Sequence, residues 1–444
     1  MANPVRWSGL KKYLNASAWL LLDKVLTLIV GLFVGIWVAR YLGPEQFGIF
    51  SYVIAFTSLF APLGKLGLDG IISRNIAQNE ANVSELISNV FMLKVLGSVL
   101  ILIFVPTYMY LAHDEPVYCY LAIPLSCIYV IKSAEVIEFY FRAKVNGKSI
   151  AIANTLGTLI SGCAKVLFIL LGMSLLFFAV ANFIGVIIST LVLLYFFKDQ
   201  AAKLLWFNIN WQQAIALIKE SWPLIISSFF ALLYLNIDQI MIQAILTTHQ
   251  LGLYSAAVKL SSLWYMIPMI LSWSLQTAVV NAKKSGEDLY YARLQQLFTL
   301  LAVSAFVTII PILIYAKQIV AILYGAPYSD ASNVLIIHIW ASLFVFVGII
   351  RGLWVTNESY FKFALFSNAV AGLLNILLNY LWLPIYGIEG AAWATLISYS
   401  FTYVLSGCFF TPSRKIVWMQ LKSLSLIDVF SQVKTFAARR HHEQ

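Results

Sequence analysis

The stretch "YLGPEQFGIFSYVIAF" at residues 41–56 interrupts continuous apolar sequence and separates two long apolar runs. Gly43 and Pro44 are residues that end helices, so the stretch predicts a turn followed by a new helix. A weak copy returns later in the chain, where "QLGLYS" at 250–255 matches "QFGIFS" at 46–51. Each copy follows the first apolar run of its half, which indicates a chain built from two similar halves.

The composition assigns the chain to the membrane proteins. Hydrophobic residues make up 61% of the 444 residues and charged residues only 11%, whereas soluble domains carry about 25% charged residues. So few charges cannot cover the apolar surface that a soluble chain of this length would present to water.

Twelve segments are long and apolar enough to cross the roughly 30 Å hydrocarbon core as helices. The first is too long and too polar for a cleaved signal peptide. The predicted spans are residues 16–39, 47–67, 86–108, 118–140, 149–171, 175–197, 221–246, 251–280, 295–316, 333–356, 363–383 and 390–411.

The distribution of positive charge predicts the orientation. With both termini in the cytoplasm, twenty of the 29 Lys and Arg residues fall in inner segments and only Arg40 and Lys317 in outer loops. This bias satisfies the positive-inside rule. The net charge of +10 therefore reports membrane orientation, and nucleic-acid binding is not needed to explain it.

The chain divides into a six-span lobe at 1–197, a cytoplasmic linker at 198–220, a second six-span lobe at 221–411 and a basic tail at 412–444. Because six is even, both lobes enter the membrane in the same orientation. We therefore expect an all-α polytopic membrane protein with a pseudo-two-fold axis along the membrane normal. The linker and the tail are basic and amphipathic, which favours a position along the inner leaflet.

Seven cations remain within the predicted spans. Exposed to lipid, they would cost on the order of 20 kcal/mol at about 3 kcal/mol each, so most must face acids, one another or water. This predicts a hydrated internal cavity suited to an anionic cargo such as a phosphate. The seven are Lys24, Lys65, Lys94, Lys132, Lys165, Lys259 and Arg351.

Helical spacing sorts these charges into candidate sites. Lys24, Lys259 and Arg351 lack a same-helix acid on their own face and are candidates for the cavity. Lys132 and Glu135 are either cavity residues or a structural ion pair, and the same alternatives hold for Glu138 with Arg142. Lone acids in the first span of each half are candidate proton carriers, with a structural role as the alternative; they are Asp23 and Asp238. A cytoplasmic-side gate is expected at the inner end of the second span, at Lys65, Asp69 and Arg74.

Catalytic and cofactor motifs are not recognisable in the sequence. The string "NGKS" at 146–149 has Arg142 where a phosphate-binding loop needs its first glycine. The four cysteines and five histidines show no disulfide or metal-ligand spacing. We expect a protein that is not an enzyme and has no cofactor or metal.

Two stretches carry a family resemblance. "ARYLGPEQFGIFSYVIAFTSLFAPLGKLGLDGIISRNIA" at 39–77 closely resembles the first helical hairpin of bacterial O-antigen flippases of the Wzx type, within the multidrug/oligosaccharidyl-lipid/polysaccharide exporter superfamily. "NAVAGLLNILLNYLWLPIYGIEGAAWATLIS" at 368–398 is similar to the eleventh and twelfth helices of that superfamily. The resemblance implies that helices one, two, seven and eight line a central cavity. It also implies a periplasmic gate at their outer hairpins, with the residues Gly43, Pro44, Gly48 and Gly252.

The resemblance further implies the cargo and the location. The cargo would be an oligosaccharide on undecaprenyl pyrophosphate, turned from the inner to the outer leaflet of the bacterial inner membrane, with Lys24, Lys259 and Arg351 receiving the head group. A glycan polymerase and a chain-length regulator are possible partners, beside membrane lipids. Two rival interpretations stay open: a multidrug or metabolite exporter of the same superfamily, and a non-transporting scaffold that acts through its basic tail.

Overall fold

A computed structural model describes residues 7–68, 71–72, 75–76, 83–204 and 209–425. The chain forms two compact units, Met1–Asn236 and Ile237–Gln444. The division falls within a helix, so one long helix contributes to both units.

Helices account for nearly all of the described backbone. In the first unit they are α1 (Trp7–Leu59), α2 (Ala61–Lys65), α3 (Val83–Ala112), α4 (Val117–Lys132), α5 (Val136–Ala143), α6 (Gly147–Leu170) and α7 (Leu175–Leu204). Helix α8 (Trp211–Ile245) crosses the division. The second unit adds α9 (Thr248–Ser262), α10 (Met266–Ser285), α11 (Glu287–Leu323), α12 (Ala331–His338), α13 (Ala341–Glu358), α14 (Phe361–Tyr403) and α15 (Arg414–Leu424).

Nine helical segments of the described chain are long and apolar enough to cross a membrane. Two of them hold two spans each, since α1 has 53 residues and α14 has 43. At 1.5 Å per residue these helices would be about 80 and 65 Å long if straight, against a core of roughly 30 Å. With α9 and α10 as the eighth span, the twelve predicted spans are accounted for, and the all-α membrane class is confirmed.

Glycines in the left-handed region break both double-length helices. Gly43 has φ 72° and ψ 169° within α1, and Gly387 has φ 57° and ψ −144° within α14. A side chain disfavours positive φ, so glycine is the residue suited to these turns. Pro44 follows the first break and begins the second span. The turn predicted from residues 41–56 is confirmed, and one residue makes it.

The apolar core of the first unit is concentrated where several helices meet. Ile87 of α3, Phe197 of α7 and Leu217 of α8 are all buried there, with at most 5% of each residue exposed. The start of α8 is fixed by Asn89, which accepts a 2.8 Å hydrogen bond from the Asn210 amide. The amphipathic end of the predicted linker therefore packs on α3.

Candidate functional site

Asp238 on α8 lies at the centre of a buried group of polar side chains. Its Oδ1 accepts a hydrogen bond from Asn379 Nδ2 at 2.6 Å, and its Oδ2 accepts from Tyr254 Oη at 2.7 Å and Thr395 Oγ1 at 2.5 Å. Asn379 Nδ2 also donates to Asn375 Oδ1 at 3.0 Å. We call these five residues the Asp238 cluster. All three donors to the carboxyl group are neutral, so they orient it without neutralising its charge.

Local structure explains how the cluster assembles. Asn375 and Asn379 are four residues apart on α14, so both lie on one face of that helix. The break at Gly387 turns the chain, and Thr395 on the second arm of α14 therefore reaches the same carboxyl group as Asn379. Helix α9 supplies Tyr254, which is 1% exposed.

A buried histidine supports the position of α9. His338, 3% exposed, ends α12, and its Nδ1 lies 2.7 Å from Ser261 Oγ. Ser261 donates its single hydroxyl proton to the Val258 carbonyl at 3.0 Å. The bond between His338 Nδ1 and Ser261 Oγ ties α12 to the helix that carries Tyr254.

The first unit contains a similar group around Asp23 of α1. Asp23 is 2% exposed, and its Oδ1 accepts a hydrogen bond from Thr155 Oγ1 of α6 at 3.1 Å. Asn154 also approaches the carboxyl group, and its Oδ1 accepts a 2.9 Å hydrogen bond from Ser189 of α7. We call these four residues the Asp23 cluster.

The two clusters use corresponding spans. Asp23 lies on the first span of its unit and accepts a hydrogen bond from Thr155 of the fifth span. Ser189 of the sixth span in turn donates to Asn154 of the fifth. Asp238 lies on the seventh span and is bound by the eighth, eleventh and twelfth. Each half thus buries one carboxyl group among Asn and Ser or Thr side chains. Among the described residues, these hydrogen bonds to the two carboxyl groups come from neutral donors.

The predicted cavity cations differ in their surroundings. Lys24 is exposed and Lys259 is partly buried. Arg351, 5% exposed, donates from Nη2 to Ser367 at 3.1 Å and Ser406 at 3.2 Å. Its guanidinium carbon also lies 4.7 Å from the centroid of the Phe363 ring. Arg351 therefore joins α13 to the start of α14, at Ser367, and to the 3₁₀ turn Leu405–Phe409 that follows it, at Ser406.

Lys132 and Glu135 form an ion pair with a 3.3 Å separation, at the 3₁₀ turn Ser133–Glu135 between α4 and α5. Arg142 and Glu138 form a second pair at 3.2 Å. Because side chains of the first pair are 37% and 30% exposed, both groups remain accessible to other ligands.

The predicted gate residues are only partly described. Lys65 is exposed at the end of α2, whereas Asp69 and Arg74 lie outside the described residues. Gly48 and Gly252 are buried early in the helices that follow their turns. In the second copy the helix begins with Thr247, whose hydroxyl accepts a 3.3 Å hydrogen bond from the Gln250 amide. The copies thus open corresponding helices with different turn chemistry.

Sequence reasoning missed the partners of Asp238. The spacing of Asn375 and Asn379 was a usable signal, because two buried amides on one face of an apolar helix need a polar partner. Tyr254 and Thr395 carried no such pattern. Arg351 had no visible partner because both of its serines belong to other spans.

A family model described as "Polysaccharide biosynthesis protein" matches residues 14–282, and a second model, MatE, matches residues 223–381. Among curated proteins, the chain is similar to the probable low-salt glycan biosynthesis flippase Agl15 of Haloferax volcanii. The two are 23% identical over 420 residues, which cover 89% of this chain and 84% of the relative.

Solved structures confirm the fold. The lipid II flippase MurJ, in an inward closed conformation, matches with a TM-score of 0.72 and 16% identity over 93% of this chain and 92% of MurJ. An inward-facing multidrug resistance MATE family transporter of the MOP superfamily matches with a TM-score of 0.69 and 15% identity. That match covers 88% of this chain and 96% of the transporter. Since the polysaccharide biosynthesis model spans more than half of the residues, the chain belongs to the polysaccharide biosynthesis protein family.

Proposed function

We propose that this protein is a flippase that moves an oligosaccharide linked to undecaprenyl pyrophosphate from the inner to the outer leaflet of the bacterial inner membrane. The observation that carries the proposal is the family match over residues 14–282. That region includes Lys24 and Lys259, the two cations best suited to a pyrophosphate. The names of the Haloferax relative and of MurJ support the same class of cargo.

The head group binds at Lys24 and Lys259. Lys24 is exposed on the first span and Lys259 is partly exposed on the eighth. Among the described residues, no hydrogen bond or ion pair holds the Lys259 amine. The oxygens of a pyrophosphate accept charge-assisted hydrogen bonds from lysine amines. Arg351 already has two serine partners and packs on the Phe363 ring, so it contributes positive potential. The Lys132–Glu135 pair offers a further contact.

The Asp238 cluster couples the cycle to a proton. Thr395 Oγ1 lies 2.5 Å from Asp238 Oδ2 and 3.0 Å from the Ala391 carbonyl. Because the three donors to the carboxyl group are neutral, they do not balance a negative charge on it, whereas a bound proton does. It also removes the cost of a buried charge. The Asp23 cluster has the same role in the first unit.

The test measures whether this protein restores surface polysaccharide in a host that lacks its own flippase and makes the matching sugar unit. Wild type is compared with Lys24→Gln and Lys259→Gln at equal membrane abundance, and with exposed Lys284→Gln as the matched control. We expect restoration by wild type and the control, and at least a tenfold loss in the two cavity variants. If wild type and all three variants restore polysaccharide, the flippase function stands but Lys24 and Lys259 are not its binding site.

Coupling is tested in proteoliposomes with a fluorescent lipid-linked oligosaccharide. Asp238→Asn is expected to abolish the response of flipping to an imposed pH gradient while leaving binding of the cargo intact. If the wild-type flipping rate responds to a sodium gradient and not to the pH gradient, the coupling ion is sodium and not the proton.

The MatE match over residues 223–381 favours one rival, an exporter of amphiphilic small molecules. Under that alternative, cation efflux would survive or improve in Lys24→Gln and Lys259→Gln, and wild type would restore no polysaccharide. If the protein instead recruits a polymerase through its tail, removal of 414–444 would abolish polysaccharide while both lysine variants stay active.

A further inference from the structure

Helix α15 lies across the ends of two spans of the second unit. Gln295 of α11 donates to Ser423 Oγ at 2.8 Å, and Gln420 of α15 donates to the Tyr403 carbonyl of α14 at 3.0 Å. Thr299, one turn beyond Gln295, lies 3.4 Å from Ser423 Oγ. These bonds hold the eleven residues of α15 against the ends of the ninth and twelfth spans that are predicted to face the cytoplasm.

The two faces of α15 differ in chemistry. Ile416, Gln420 and Ser423 are fully buried, whereas Trp418 is 70% and Leu421 46% exposed. At about 100° per residue, the exposed apolar pair lies within an arc of about 120°. The same arc holds the cations of the helix, Arg414, Lys415 and Lys422, which are exposed.

Charge complementarity identifies what covers this face. The sequence has no Asp or Glu between Glu389 and Asp428, so α15 carries three cations and no acidic residue. The Lys415 amine lies 3.3 Å from the centroid of the Tyr291 ring, which holds it at the edge of the face. Tryptophan and lysine or arginine on one helical face are the residues that bind a membrane interface.

We propose that the exposed face of α15 binds anionic phospholipids of the cytoplasmic leaflet. Trp418 and Leu421 enter the boundary of the acyl chains, and Arg414, Lys415 and Lys422 hold the headgroups. A cytoplasmic protein would need an acidic surface of the same shape, whereas the bonds to α11 and α14 already keep the helix at the predicted cytoplasmic ends of these spans. Each cation near an anionic surface raises lipid occupancy by about fivefold.

The experiment uses the full-length protein in nanodiscs, with Cys119, Cys127, Cys163 and Cys408 replaced by serine. Trp418→Cys reports access of a water-soluble maleimide to the face, and Lys284→Cys is the control on an exposed site of the same unit. We expect labelling of Trp418→Cys to be at least tenfold slower in discs with phosphatidylglycerol than in discs of phosphatidylcholine alone. The control should label equally in both.

A second variant separates charge from folding. Arg414→Gln, Lys415→Gln and Lys422→Gln together should abolish the lipid difference at Trp418→Cys. The variant should remain folded, with only a small fall in melting temperature from the lost contacts of Lys415 with the Tyr291 ring and of Arg414 with the Cys408 carbonyl. Native mass spectrometry of the cysteine-containing protein should show fewer bound phosphatidylglycerol molecules in this variant. Equal labelling in both lipids would overturn the proposal, as would protection that requires added cytosolic protein. The measurement does not depend on transport, so failure of the flippase proposal leaves its outcome unchanged.

Discussion

Asn379 donates a 2.6 Å hydrogen bond to Asp238 from a position 141 residues further along the chain. Both side chains are buried, at 0% and 7% exposure. The Asn379 amide is therefore a main neutral partner of a buried carboxyl group. Without this amide, Oδ1 loses its hydrogen bond.

Asn379→Leu should destabilise the second unit and slow transport. A buried acceptor without its donor costs about 1–3 kcal/mol, so we expect a clear fall in melting temperature in detergent. Asn368→Leu is the matched control, since Asn368 is exposed on the same helix. Equal melting temperatures for both variants would mean that this bond contributes nothing to stability.

Gly43→Ala should destabilise the protein through backbone strain alone. Gly43 has φ +72°, and a Cβ built on it meets no atom within 4 Å. With ψ at 169°, this backbone conformation is occupied almost only by glycine, and another residue held there costs about 1–3 kcal/mol. Gly31→Ala, where a Cβ also has open space and the helix is regular, should stabilise α1 by up to about 1 kcal/mol. Thermal unfolding should shift in opposite directions, and a gain in both variants would argue against a strained turn.

Gly97→Ala should disrupt packing between α3 and α2. A Cβ on Gly97 would lie 1.9 Å from the Leu63 carbonyl oxygen, which is backbone and cannot rotate away. Overpacking typically costs about 1–3 kcal/mol, so both the folded yield and the melting temperature should fall. Gly352→Ala, with open space around its Cβ, should retain wild-type yield.

The turn between α3 and α4 should lose stability in acid. His113 stacks on Tyr118 with centroids 4.1 Å apart, and burial lowers the pKa of its imidazole while Asp114 and Glu115 oppose the shift. The unfolded chain then binds the proton more readily. The contribution to stability is complete above about pH 6.5 and is lost as the pH falls.

This dependence can be measured by thermal unfolding between about pH 5 and 8. His113→Gln should flatten the acid side of the curve, and substitution of the exposed His249 by Gln should not. An unchanged curve in His113→Gln would assign the acid sensitivity to another group.

Lys283→Gln should have a small effect that depends on salt. The Lys283 amine lies 2.8 Å from both Glu358 Oε1 and the Asn357 carbonyl. The two side chains of the ion pair are 38% and 22% exposed, so the pair contributes at most about 1 kcal/mol. The difference in melting temperature from wild type should shrink in 1 M salt. A difference that persists in salt would assign the effect to the carbonyl contact.

Hydropathy alone predicted the spans, because a helix in lipid must be apolar over a known length. The turn at Gly43 was also predictable, since Gly followed by Pro cannot continue a helix. The partners of Asp238 were not, because Tyr254, Asn379 and Thr395 come from three spans and their contact depends on tertiary packing. The partners of Arg351 were not predictable for the same reason, because Ser367 and Ser406 belong to other spans.

The single-residue breaks at Gly43 and Gly387 also determine which connections between spans can carry a modification. A turn made by one glycine provides no loop that a protease can bind and cleave or that can accept an inserted epitope. On the predicted outer face, a tag placed at either break would separate two spans that the break joins directly. The segment Asp114–Pro116 is exposed between α3 and α4, and it is the better site for an antibody epitope or a fluorescent label.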